Sequence, residues 1–490
     1  MNNQNYVLHQ NSTPILETLI KSSQRNNAAF YAPGHKKGQG IEHKLKHCFG
    51  SKVFCHDLPE LPELDNLFAP QNVILQAQNL AAQCFGSDRT WFLVNGSTCG
   101  ITSAIMAVCK AGDKIILPRN IHQSAIAGLI FSGAVPIFVN PEHDRIRDIT
   151  YNITPQAVRD TLSKHPTVKA VMVLHPTYQG VCGDLSAIAQ ITQQYQIPLL
   201  VDEAHGGHFA FHPDLPPSAL SLGVDLTVQS THKTLGAMTQ ASMLHLQGNK
   251  IKPQQLNKAL QLTQSTSPSY LLLASLDVAR KQMATQGKEL MSYSLKLADM
   301  AIAKIAQIPG LSVLKFESLP GFKYLDRTRL TVDVSQLGIT GYEADEILHQ
   351  QLGVTCELPL LRHLTFIITF GNTESDIQRL IKALTILAND YRQPLANLNL
   401  LASDYIFTTP QLALSPREAY FAATETIPLT QSSDRICGEL ICPYPPGIPV
   451  LMPGEVITKE AIAYLQKTIA SGGVITGCKD ETLKMIEVII

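Results

Sequence analysis

The sequence contains no Cys-x-x-Cys pair, no histidine-rich tract beside its ten cysteines, and no apolar run long enough to cross a bilayer. The first two absences argue against a structural metal, because zinc ligands come in closely spaced pairs. The longest uncharged stretch, Ser124 to Asn140, is broken by Gly128, Gly133 and Pro136. It falls short of the ~20 apolar residues of a spanning helix, and it reads as a buried helix followed by a strand. Met1 to Gln10 carry neither the basic start nor the apolar core of a signal peptide. The thiols are therefore expected to stay reduced in the cytoplasm, mostly as small core residues.

An excess of one charge is missing too: 39 Lys+Arg stand against 40 Asp+Glu, a net charge of −1. That balance gives no overall electrostatic footprint for nucleic acid or an anionic membrane surface, and neither is expected as a partner. No Gly-x-x-x-x-Gly-Lys loop, internal repeat or low-complexity tail is found. What remains is a 490-residue chain, 45% hydrophobic, which excludes bulk disorder and predicts two or three domains.

Thr13-Pro14 followed by Ile15, Leu16, Leu19 and Ile20 predicts an amphipathic helix. Tyr31 to Pro70, dense in Gly, Pro and His, reads as an arm. From Thr90 onward seven short apolar runs alternate with helical patterns: Trp91–Val94, Ile115–Leu117, Val135–Val139, Ala170–Leu174, Leu199–Val201, Leu226–Val228 and Met243–Leu246. This alternation predicts an α/β fold whose mostly parallel seven-stranded sheet is covered on both faces. After about residue 310 the pattern becomes a smaller α+β region, with apolar runs at Leu311–Phe316, Leu330–Val332 and Phe366–Phe370. Thr340-x-x-Glu343, Thr373-x-x-Asp376 and Ser415-x-x-Glu418 read as helix starts. The Pro-rich tract from Pro443 to Pro449 reads as a rigid extended loop. The expected division is an N-terminal helix and arm (1–70), a large domain (71–310) and a C-terminal α+β part (311–490).

Ligands of parallel sheets bind beyond the carboxyl ends of the strands, so the residues after each run carry the functional reading. Asn95-Gly96-Ser97-Thr98 lies between the first strand and a helix, where backbone N–H groups and two hydroxyls can cradle a phosphate; a merely capping turn would look the same. Asp202-Glu203-Ala204-His205 and then His208 follow the run ending at Val201. A buried acid there needs a cationic partner, and Asp202 is nearest the strand. Glu203 and His208 read as helix-capping or surface-loop residues. Ser230-Thr231-His232-Lys233 follows the next run. Most lysines are ordinary surface residues, but Lys233 shares its rim with Asp202 and the Ser97 turn. A phosphate cradle, a carboxylate suited to a pyridinium nitrogen and an amine able to form a Schiff base are the parts that pyridoxal 5′-phosphate requires. His122, after the second strand, is placed to lie against the cofactor ring, and Thr177 and Tyr178 to line the site.

With these motifs, and with Pro33-Gly34-His35-Lys36, Pro176-Thr177-Tyr178-x-Gly180, Thr266-Ser267-Pro268-Ser269-Tyr270, Pro416-Arg417-Glu418-Ala419, Pro443 to Pro449 and Pro453-Gly454-Glu455, the chain resembles the ornithine, lysine and arginine decarboxylases of pyridoxal-phosphate fold type I. The resemblance covers nearly its whole length. It implies that Lys233 is the Schiff-base lysine, Asp202 the partner of the pyridine nitrogen and His122 the ring-stacking residue. Asn95, Gly96, Ser97, Thr98, Thr177, His205, Ser230 and His232 complete the implied cofactor site, and His205 joins Lys233 as a candidate proton donor. It further implies a homodimer or higher oligomer with shared active sites, and decarboxylation of a basic amino acid to its amine. Arginine is placed first, then lysine and ornithine. The alternatives are an aminotransferase on the same fold or a non-catalytic homologue.

Two departures stand out. The sheet domain begins too early to leave room for the N-terminal assembly domain of the larger family members, which predicts a compact form. Asp434 stands where the family usually has glycine, which puts that turn in question. Pro33 to Lys37 and the acids from Asp57 to Asp65, with Glu60 and Glu63, are placed to reach a substrate's cationic tail across the subunit boundary, the acidic stretch reading equally as a solvated loop.

Overall fold

The structure, a computed structural model, describes residues 9–391, 411–444 and 446–490. Residues 1–8 of the leader reading and Pro445 of the Pro-rich tract lie outside the described residues. Helix α1 (Pro14–Ser23) begins at the expected Thr13-Pro14, and its Ile15 and Leu19 are buried.

The seven apolar runs form one sheet: β1 (Arg89–Leu93), β2 (Lys114–Pro118), β3 (Val135–Val139), β4 (Ala170–Leu174), β5 (Leu199–Asp202), β6 (Leu226–Gln229) and β7 (Ser242–Leu246), in spatial order β1-β7-β6-β5-β4-β2-β3. Strands β2 to β6 are mutually parallel, and β7 runs antiparallel between β6 and β1. Every residue of β4, β5 and β6 is buried, which is why these strands read as unbroken apolar runs instead of alternating ones. Their register sets Leu174 opposite Asp202 and Asp202 opposite Val228. The carboxyl ends of the three central strands are therefore level.

Helix α2 (Gly96–Val108) follows β1 and lies tight on the sheet. A Cβ on Gly100 would stand 2.7 Å from both Leu93 and Val228 side-chain carbons, so glycine sets how closely this helix approaches. Helix α3 (Gln123–Ser132) ends at Gly133 in the left-handed conformation and runs into β3. That is the buried helix and strand expected between Ser124 and Asn140. Among the described residues no helix is long and apolar enough to cross a membrane.

Beyond the four-residue turn of helix α4 (Thr231–Thr234), the 36-residue helix α5 (Tyr270–Ile305) links two cores. Its first half packs with α1 and the sheet, and its second half enters the next unit. That unit has strands β8 (Ser312–Val313), β9 (Arg329–Asp333), β10 (Leu358–Pro359) and β11 (His363–Ile367), antiparallel in the order β8-β9-β11-β10. The expected strand at Phe366–Phe370 is corrected to β11, which starts three residues earlier. Its polar residues His363 and Thr365 are buried, Thr365 pairing its hydroxyl with Thr331 at 3.0 Å, so hydropathy alone placed it late. The predicted capping pairs are present at Thr340/Glu343, Thr373/Asp376 and Ser415/Glu418.

The last unit has its own core, including Leu429, Ile441, Leu451, Leu465 and Val488. Asp434 occupies the left-handed region at φ 65°, the conformation glycine favours and aspartate tolerates, so the turn is kept.

A buried ion pair fastens α1 to α5. Arg280 Nη2 lies 2.6 Å from Asp277 Oδ1, its guanidinium donates to the carbonyls of Gln10 and Ser12, and Asp277 Oδ2 accepts from Ile15 N–H at 3.0 Å. Removing one member strands the other charge in the core. Asp277→Ala is expected to cost about 3 kcal/mol, seen as a first unfolding transition at lower urea, while Leu262→Ala on the exposed face of its helix leaves that transition in place.

Candidate active site

The loops after the level strand ends converge. After β6, Lys233 sits in the single turn of α4 and points its amine at His205, with Nζ and Nε2 2.9 Å apart. His205 follows β5 and is almost wholly buried. Tyr178, from the loop after β4, sets its ring edge-on to His205 at 4.8 Å between centroids, and Lys233 Nζ is 5.9 Å from the Tyr178 ring centre. Asp202, the last residue of β5, is buried and accepts from the Ala204 N–H at 3.1 Å.

Burial dominates the electrostatics. It pushes the Lys233 ammonium down from its ordinary value, an effect that Arg329 adds to and that Asp202 and Glu357 oppose. It pushes the Asp202 carboxyl up, with the Ala204 N–H and Lys233 pulling it back. His205 is driven well below the usual imidazole range by burial and then by the charges of Lys233 and Arg329, so its ring is neutral at physiological pH. His122 is pushed down to about 4 by burial and by Lys233. Its Nδ1 accepts from the Ser124 N–H at 3.1 Å, which places the ring proton on Nε2.

The second cluster is a cradle. Gly96, at φ 71°, opens α2, and its Asn95 cap makes no side-chain bond to the helix, leaving the first-turn N–H groups unbound by a cap. Asn95 Oδ1 instead accepts weakly from Ser265 N–H, at 3.4 Å. Ser230, wholly buried, donates to Ser97 Oγ at 2.8 Å, joining the ends of β1 and β6, and Thr98 is exposed beside them. His232 is held through Nδ1 by the Ala241 carbonyl at 2.9 Å. Such a terminus favours an anion.

Thr177 lies on the same loop: its Oγ1 accepts from Val181 N–H and closes the turn, and the neighbouring Tyr178 stands beside the amine. Other expectations need correction. Glu203 and His208 are no surface residues. Glu203 is fully buried and accepts from Ala219 N–H, Thr227 and Gln229, locking β5 to β6. His208 pairs with buried Asp326 at 3.1 Å. The acids of the arm are occupied within the chain: Asp57 by His35, Glu60 by Asn66 and Leu67 N–H, Glu63 by Ser22 and Arg25, Asp65 by backbone N–H groups from 66 to 74. The readings of these acids as a tail-binding stretch or a solvated loop both give way to local capping and pairing.

Two residues escaped the sequence reading. Arg329, on β9, is buried, its Nη2 3.4 Å from the His205 carbonyl and its Nε 4.0 Å from Asp326 Oδ2, with Nε and Nη1 making no hydrogen bond among the described residues. Glu357, just before β10, is exposed, yet its charge reaches Lys233, His232 and Arg329. Both come from the second unit, and no local motif marks either; a lone charge beside a strand is too common to single out.

A profile described as the Orn/Lys/Arg decarboxylase major domain matches residues 13–318, and its C-terminal domain matches residues 399–482. The chain belongs to the Orn/Lys/Arg decarboxylase family. It is an enzyme of the decarboxylase class, a lyase. It is 40% identical to an arginine decarboxylase of Bacillus subtilis, over 98% of this chain and 99% of that protein, and 40% identical to one of Bacillus anthracis, over 99% and 98%. The constitutive lysine decarboxylase of Escherichia coli is 25% identical, over 92% of this chain and 76% of that one. In fold, the chain superposes on the Francisella novicida lysine decarboxylase with a TM-score of 0.84 at 24% identity, covering 98% of this chain and 81% of that one. A ureidoglycine–glyoxylate aminotransferase of Bacillus subtilis shares the fold over 68% of this chain, with a TM-score of 0.52. The fold expected from the sequence, that of pyridoxal-phosphate enzymes of type I, is thus the one observed.

The His122 shift carries a pH dependence for this decarboxylase. A histidine lowered from 6.5 to about 4 on folding favours the native state fully above pH 6.5, and that contribution is lost as pH falls from 6.5 toward 4. Between those limits His122→Gln is expected to lose less stability with acid than the parent chain, in melting temperatures measured at half-unit pH steps. Parallel curves would mean that His122 is an exposed, titrating ring.

Proposed function

We propose that this protein is an arginine decarboxylase that uses pyridoxal 5′-phosphate, with Lys233 as the lysine that carries the cofactor. The observation that carries the reading is the amine of Lys233, lowered by burial and 2.9 Å from a neutral His205, on the same rim as buried Asp202. The cofactor fits the groups present. Asp202 is a buried acid suited to a pyridinium N–H, and the first turn of α2 with Ser97, Thr98, Ser230 and His232 suits a dianionic phosphate. The neutral ring of His122 suits a π face.

When bound, the cofactor supplies an electron sink for charge developing at the substrate α-carbon. Asp202 holds the proton on the ring nitrogen, and its own raised pKa is relieved by that partner. Lys233 and His205 exchange a proton across 2.9 Å and return one to the α-carbon after carbon dioxide leaves. Burial, with Arg329 adding to it, keeps Lys233 from being a fixed ammonium, so it can act as nucleophile and as acid. Glu357, the acid whose field reaches the site from the second unit, takes the cationic end of the substrate.

Arginine is preferred because the Bacillus arginine decarboxylases are 40% identical over nearly the full chain, against 25% for the lysine enzymes and 28% over 59% of the chain for the biodegradative arginine decarboxylase of Escherichia coli. The arm exposes Phe30 and Phe49, which supports assembly with a second copy. All ten cysteines are free thiols, which supports a reducing compartment, the cytoplasm.

The test is product analysis by mass spectrometry after incubation with pyridoxal phosphate and, separately, arginine, lysine and ornithine, without a keto acid. Agmatine from arginine is the expected result. Cadaverine or putrescine alone would overturn the substrate, and a requirement for a keto acid would overturn the reaction. Lys233→Ala is expected to lose at least about 10³-fold in turnover, with Glu357→Gln raising KM about tenfold more than it lowers kcat.

A further inference from the structure

The Pro-rich tract expected as a loop from Pro443 begins as a strand, Cys442–Tyr444, paired with Val474–Thr476; the loop that follows is far from Lys233 in sequence, and the proposed chemistry assigns it nothing. Its anchoring is unusually complete. Arg119, immediately after β2, is wholly buried and donates through Nη1 to the Pro449 carbonyl at 2.7 Å and through Nη2 to the Val450 carbonyl at 2.9 Å. The same Nη2 is 3.1 Å from Glu455 Oε2, which also accepts from Met452 N–H at 3.0 Å. Phe138 covers the guanidinium, 5.5 Å from its ring centre. Arg119 Nε and Glu455 Oε1 are buried without a hydrogen-bond partner among the described residues, and a buried ion pair of this kind holds a geometry more than it adds stability.

What this clamp holds lies on the active site. Gly447 accepts through its carbonyl from Gln123 N–H at 3.1 Å, and Tyr178 donates its hydroxyl proton to the Pro446 carbonyl at 3.2 Å. Gly447 is at φ 82°, and a Cβ there would stand 3.4 Å from His122 Nε2, 3.5 Å from His122 Cδ2 and 3.3 Å from Gln123 Nε2. His122 is thus held on one edge by Ser124, through Nδ1, and bounded on the other by bare loop backbone. Tyr178 is the residue that packs on His205 and Lys233. One loop therefore touches two aromatic groups of the site.

We propose that the Pro-rich loop of the C-terminal unit is a positioning element of the decarboxylase site, in which Gly447 sets the place of the His122 ring and Pro446 that of Tyr178, with Arg119 and Glu455 as its clamp. Glycine is favoured at 447 by its left-handed φ of 82°, and a Cβ there would rest in van der Waals contact with the imidazole and press more tightly on Gln123 Nε2. The proposal rests on the Lys233 site being the catalytic one. Cofactor uptake at Lys233 by the parent protein, seen by visible absorption and by peptide mass after borohydride reduction, tests that reading separately.

The experiment compares parent, Gly447→Ala, Tyr178→Phe, His122→Ala and the double variant Gly447→Ala/His122→Ala, each as the full-length protein loaded with pyridoxal phosphate. Gly447→Ala is expected to weaken cofactor retention and to lower kcat by about tenfold, since alanine is strained at φ 82° and the loop backbone beside His122 shifts to relieve it, while KM changes less than twofold and far-UV circular dichroism is unchanged. On the His122→Ala background the same substitution is expected to have less than a twofold effect, because its effect passes through that ring. Effects that multiply independently would overturn the proposal, as would a Gly447→Ala protein with parent cofactor affinity, spectrum and kcat. If Gly447→Ala does not fold, Tyr178→Phe decides. It keeps the ring and removes the hydroxyl bonded to the loop, and a changed cofactor absorption and pH profile is expected; parent behaviour in both overturns the proposal.

Discussion

The desolvation of charge at the carboxyl edge of the central sheet is the constraint on which the rest depends. Parallel strands buried on both faces leave nowhere for a charged side chain except the loops beyond their ends. The level register of β4, β5 and β6 brings those loops into one volume. There burial pushes each group toward neutrality: the amine of Lys233 and the imidazoles of His205 and His122 downward, the carboxyl of Asp202 upward. The chain keeps an amine and an acid in a place that penalises both. A ligand that brings a ring cation to Asp202 and an electrophile to Lys233 answers both penalties at once.

This also explains what could be seen in the sequence and what could not. The seven strands were legible because two-sided burial writes each as an apolar run, and helix starts were legible because a capping pair is a local signal with fixed spacing. Lys233, Asp202, Ser97 and Ser230 drew attention in the sequence because each lies at, or within four residues beyond, the carboxyl end of a strand. Strand β11 was placed late because its buried His363 and Thr365 find partners across the sheet, which hydropathy does not register. Glu203 looked like a loop acid because its three partners lie 16 to 26 residues away. Arg329 and Glu357 reach the site through the packing of the second unit on the first, and no spacing rule reports a contact of that kind.

The arm shows the same limit from the other side. A cluster of acids between Asp57 and Asp65 looks in the sequence like a binding surface for a cation. In the fold, Asp65 accepts from Asn66, Gln71, Asn72 and Ile74 N–H groups and so shapes the entry to the next helix. An acid satisfied by backbone donors has little affinity left for a substrate. Glu357, exposed, makes no side-chain hydrogen bond among the described residues, and this freedom from competing donors is what supports the proposal of a single acid over the cluster.

The C-terminal third gives the last step. Aminotransferases share this fold over about two thirds of the chain, at 14–18% identity, so the Lys233, Asp202 and cradle arrangement belongs to a scaffold that supports several chemistries. In this chain the scaffold also carries the long-range contact between Arg119 and Glu455, 336 residues apart, and the loop it holds. Had those C-terminal motifs served only to fold their own unit, their charged members would turn inward on that unit's core. Glu455 instead turns to a guanidinium three residues before His122, and Gly447 lies against His122 itself. The Pro-rich and Pro-Gly-Glu motifs are therefore read best as the part of the chain that specialises a common cofactor site from its far side.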